Sequence, residues 1–79
     1  MDKKEFWRQA DDTKAYPFVV TYQDRATFPP QRFYATREAA FAEKDGAREV
    51  MCIMERRVNA GAEECREIFG TMWPKKEVR

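Results

Sequence analysis

The chain has 79 residues, 15 Lys and Arg against 14 Asp and Glu, and no histidine. That length allows one domain, residues 1–79, with a thin core, and the near-neutral balance argues against a strongly basic nucleic-acid binder and against an acidic mimic of DNA. Six Phe, three Tyr and two Trp separate it from a disordered chain, which would lack them.

Four of the first five residues, Asp2 to Glu5, are charged and no apolar stretch follows them. The longest apolar run, Val50 to Met54, is far shorter than the roughly 20 residues that span a bilayer. A soluble, cytoplasmic protein is expected, with no membrane partner. Cys52 and Cys65 are the two cysteines. Without histidine they make no zinc set, so neither metal nor cofactor is expected. They read as free thiols in a reducing compartment.

Residues 2–12 read as a short helix. Asp2 is placed to cap it, and Glu5 sits three residues on. Phe6, Trp7 and Ala10 give it one apolar edge, so it must dock through Phe6 or Trp7. Pro17 stops helix continuation. Phe18–Gln23 is β-branched or aromatic almost throughout and reads as strand. Pro29 and Pro30 mark a loop. Gln31–Ala35 reads as a second strand, antiparallel to the first across a loop longer than a tight turn.

Thr36 is placed to cap the next helix, with Glu38 in its first turn. From there an apolar seam runs through Ala40, Ala47, Met51, Met54, Val58, Gly61, Cys65, Ile68 and Met72. From Ala47 its steps alternate four and three, the spacing of one helical face. Ala47–Val58 is therefore expected to be the main helix, with Arg56 and Arg57 near its end. Asn59-Ala60-Gly61-Ala62 resembles a helix stop. Two helices, the second ending at Gly70, and one helix running through both fit the spacing. Residues 75–79 are expected to fray. The fold class expected is α+β: a short N-terminal helix, a two-stranded antiparallel sheet, then one or two C-terminal helices packed on it through Phe18, Val20 and Phe33.

Catalytic chemistry finds little footing. Histidine and serine are absent, and the neighbouring acids Asp11-Asp12 and Glu63-Glu64 would point about 100° apart on a helix. A non-enzyme is expected. A second apolar line, Phe41, Val50, Ile53, Phe69 and Trp73, gives more apolar helix surface than a two-stranded sheet can cover. The excess suits helix packing within the chain or burial against another protein or a second copy. A protein-interaction module follows: a regulator, adaptor or inhibitor of the size seen in phage and mobile-element accessory proteins. Its patch would be Met51, Met54, Phe69, Met72 and Trp73, with a charged rim. The alternative is nucleic-acid binding, with Tyr22 and Tyr34 stacking bases and Arg25, Arg32, Arg37, Lys75 and Lys76 meeting phosphates.

Overall fold

The computed structural model describes residues 2–71. In chain order these form α1 (Lys3–Asp11), β1 (Phe18–Tyr22), β2 (Gln31–Tyr34), α2 (Arg37–Ala42), a single 3-10 turn (Glu43–Asp45), β3 (Val50–Asn59) and β4 (Ala62–Gly70). The strands build one antiparallel sheet in the order β2-β1-β3-β4.

Local chemistry starts both helices. The Asp2 carboxylate accepts the Glu5 N–H at 2.8 Å, and the Thr36 hydroxyl accepts the Ala39 N–H at 3.2 Å. Each cap satisfies a donor that the first helical turn leaves without a partner. The helices then cover opposite faces of the sheet. Phe6 of α1 packs on Phe33, ring centroids 5.3 Å apart, and on Val19. Ala40 of α2 is sealed against Val20, Tyr22 and Ile53, with Phe18, Tyr34, Phe41, Val50, Ile68 and Phe69 around them. Alternate strand residues point to opposite faces, so Val19 serves one cluster and Val20 the other. Phe18 and Val20 thus face α2 while Phe33 faces α1; the three do not form one contact under a single helix.

The expected fold class is corrected here. The sheet has four strands, and the segments read as C-terminal helices, Ala47–Val58 and residues 63–69, lie largely in β3 and β4. The helix capped by Thr36 ends at Ala42. A strand covered on both faces loses its apolar–polar alternation, so Val50-Met51-Cys52-Ile53-Met54 imitates a buried helix. Asn59-Ala60-Gly61-Ala62 is a hairpin turn: Ala60 and Gly61 have φ of 54° and 81°, both left-handed, and Asn59 pairs with Ala62. Positive φ at both central residues is the hairpin geometry whose twist matches that of the flanking strands. Neither the single helix nor the pair survives. Gly70 has a different task from stopping a helix. Its φ is +68°, and a Cβ there would stand 2.2 Å from the Met51 carbonyl oxygen.

Two arginines tie the layers together. Arg56, only 5% exposed, sends its guanidinium to the carbonyls of Gln9 and Ala10 at the end of α1 and to Tyr16 at 2.9 Å. It also lies over the Phe33 ring at 4.9 Å. A cation among the last carbonyls of a helix is favoured by the helix dipole, so Arg56 pins α1 to the sheet. Arg48 does the same for the β1–β2 loop, residues 23–30. It donates to the carbonyls of Pro29 (2.7 Å), Asp24 (3.1 Å) and Thr27 (3.2 Å) and stacks 3.9 Å over the Tyr22 ring.

Candidate protein-interaction surfaces

The helix α1 has two unlike faces, one packed on the sheet and one turned to solvent. Phe6 and Ala10 pack toward the sheet. Lys4, Trp7, Arg8 and Asp11 follow the three-four spacing of one helical face, and all four are exposed. Trp7 is 61% exposed, its ring held edge-on to Phe6 at 5.2 Å. Phe28, from the β1–β2 loop, meets the same Phe6 ring at 5.4 Å and is 41% exposed. Buried Phe6 therefore supports two outward aromatic rings from separate elements. Lys3 and Lys4, exposed, precede Trp7 by one helical turn, and Arg8, next to it in sequence, is paired with Glu5. The Arg8 guanidinium holds Glu5 below the usual carboxylate range. Adjacent residues on a helix diverge by about 100°, so Phe6 and Trp7 could not both face the sheet; the sequence held that signal.

The β3–β4 ribbon supplies a second surface. Beyond Glu55, which pairs with Phe18 at the start of β1, β3 runs on without β1 beside it. On its α2-facing side, Glu55 is opposite Arg66 and Arg57 opposite Glu64. The ion pairs close at 3.0 Å and 3.2 Å. They line a shallow concavity of about 380 Å³ with Cys65. Two acids and two bases in one checkerboard neutralise each other, which suits neither a phosphate backbone nor a cation. On the other side Glu63 accepts the Thr13 hydroxyl at 2.9 Å and lies 3.7 Å from Arg56.

The residues expected to form an apolar patch are dispersed. Met54 pairs with Val19 on the α1 side, and Phe69 pairs with Ile53 on the α2 side. Met51 falls at the irregular step of β3 between the residues paired with Tyr22 and Thr21. All three are half-buried, and the helical face that grouped them does not exist. Phe69 packs on Phe41 and under Lys44, whose Nζ is 4.2 Å from its ring centroid. Met72 and Trp73 lie outside the described residues, as do Lys75, Lys76 and the expected tail 75–79.

Of the residues named for nucleic acid, Tyr22, Arg32 and Tyr34 share the α2 side of the sheet. Tyr22 is 0% exposed and gives its hydroxyl to Glu43, so its ring has no face for a base. Burial, reinforced by Glu43, pushes both the Tyr22 and Tyr34 phenols above their ordinary range. Arg37 lies 4.9 Å over the Phe41 ring at the start of α2, and Arg25 is exposed in the β1–β2 loop. Burial raises the Cys52 thiol, and partial desolvation with the nearby Glu63 carboxylate raises that of the more exposed Cys65. Among the described residues no group of three or more His, Cys, Asp or Glu is placed to hold a metal, and no helix is long and apolar enough to cross a membrane. Comparison with protein-family models, curated proteins and solved structures finds no match to this chain.

Proposed function

We propose that this chain is a non-enzymatic protein-interaction module, a regulator, adaptor or inhibitor, that docks its partner through Trp7 and Phe28. The observation carrying this reading is the 61% exposure of Trp7 on a helix already anchored by Phe6. Two exposed rings set on one buried Phe6, with charged residues on the same helix, have the composition of an interface centre. The monomer gains little from it, because Phe6 and Arg56 hold α1 without it. Paired arginines on the ribbon and protonated thiols support a binding role over a chemical one.

The test compares wild type, Trp7→Ala and Phe28→Ala as immobilised baits in extract of the native cell. The expected result is a protein held by wild type and lost from Trp7→Ala, with circular dichroism and Tm nearly unchanged. Identical retention by all three overturns the docking surface. Unfolding of Trp7→Ala makes that ring part of the core and overturns it equally.

A further inference from the structure

The exposed face of α1 carries opposite charges at its two ends. At about 100° per residue, Lys4, Trp7 and Asp11 fall within about 60° of arc, with Arg8 beside them. Lys4 lies one turn before Trp7 and Asp11 one turn after it, and both are exposed. Among the described residues neither takes part in an ion pair. A partner of one charge would meet repulsion at one end of this face or the other. A face with a base ahead of its apolar centre and an acid behind it is complementary to itself turned around.

We propose that the occupant of this surface is a second copy of the chain, held as a two-fold dimer through antiparallel α1 helices. It rests on the docking reading of Trp7 and Phe28 and names their partner. With the axis between Trp7 and Arg8, Lys4 of each copy stands against Asp11 of the other, so each contact occurs twice. Parallel packing would instead set Lys4 by Lys4 and Asp11 by Asp11 and align the helix dipoles, all unfavourable. The same axis brings Trp7 against Arg8 of the second copy. Arg8 Nε donates to Glu5 at 2.9 Å. That bond uses the edge of the guanidinium and leaves its planar faces to stack on an indole. Phe28, seated on the same Phe6 ring as Trp7, widens the apolar centre. Two nine-residue helices and two loop rings make a contact below the ~1,200 Å² of a stable interface, so the pairing is weak and reversible.

The test is sedimentation equilibrium from about 10 µM to about 1 mM, at about 50 mM salt where charge attraction is little screened. Wild type is expected to pass from monomer toward dimer, and Trp7→Ala to stay monomeric. Lys4→Asp and Asp11→Lys should each weaken self-association about tenfold, because both contacts turn from attraction to repulsion. Aspartate suits the first turn of a helix and lysine the last, so neither substitution weakens α1 itself. Mixed together, the two single variants should pair as wild type does, since each then meets an opposite charge at both ends. Wild type monomeric at the highest concentration, self-association retained by Trp7→Ala, or a mixture that pairs no better than its components overturns the two-fold dimer. Should wild type stay monomeric while Trp7→Ala still loses a protein held from extract, the docking surface stands and only the second copy falls. Unfolding of Trp7→Ala removes both.

Discussion

The two ends of the β3–β4 ribbon are built from one pair of strands and do different work. At the root, Val50–Met54 lies beside β1 and Ile53 and Cys52 are sealed from water. At the tip, Arg57–Asn59 and Ala62–Glu64 are exposed throughout. Arg56 and Arg57 stand at the boundary, one residue and one face apart. Arg56 is enclosed and serves three carbonyls, two at the end of α1 and one, Tyr16, in the segment that follows it; Arg57 stays in water, paired with Glu64. The same side chain is a structural pin on one face and a surface charge on the other, because a strand turns successive residues to opposite sides.

That contrast predicts graded responses. Ile53→Ala at the root should cost about 2–5 kcal/mol in urea unfolding, the range for emptying a sealed aliphatic site. A cost within surface noise would mean that the root is not core. Arg56→Met should cost about 3 kcal/mol, because buried carbonyls lose charged donors, and Arg56→Lys should restore only part, lacking the planar fork. Full rescue by lysine would reduce Arg56 to a charge. Ala60→Gly at the tip should instead stabilise by about 1 kcal/mol, since Ala60 holds a left-handed φ of 54°. Arg57→Ala should stay within about 0.5 kcal/mol, as exposed ion pairs do.

The Tyr22 phenol adds a pH test of the root. Its folded pKa is raised, first by burial and then by Glu43. The unfolded chain therefore ionises first, near pH 10. The stability this phenol contributes is whole below that point and is lost as pH rises through the folded value. Tyr22→Phe should cost about 1 kcal/mol at neutral pH and flatten the alkaline decline. An unchanged alkaline slope would place Tyr22 outside the buried contact with Glu43.

The first half of the chain was legible because its signals are local. Asp2 and Thr36 cap as their types predict, and Phe18–Tyr22 and Gln31–Tyr34 pair across the expected loop. The second half was misread because burial on both faces erased alternation at the root, while the four-three seam ran through Ala47, Val58 and Cys65, all exposed. Ala60-Gly61 carried the turn, but Asn-Gly at its centre would have announced a hairpin more plainly. The single apolar edge expected of Phe6, Trp7 and Ala10 divides, because adjacent helical residues diverge by about 100°: Phe6 and Ala10 pack on the sheet and Trp7 faces water. The outward position of Phe28 depends on Arg48 holding the loop carbonyls from the segment just before β3, about 20 residues on in sequence, and no local pattern encodes that.

Residue-resolved amide exchange along β4 tests the central claim most directly. A ribbon rooted in the core with one open edge predicts alternation, with Glu64 and Arg66 protected by β3 and Glu63 and Cys65 exchanging fast. Uniform protection of all four, or the continuous protection of a helix across residues 47–58 and 63–69, would contradict it.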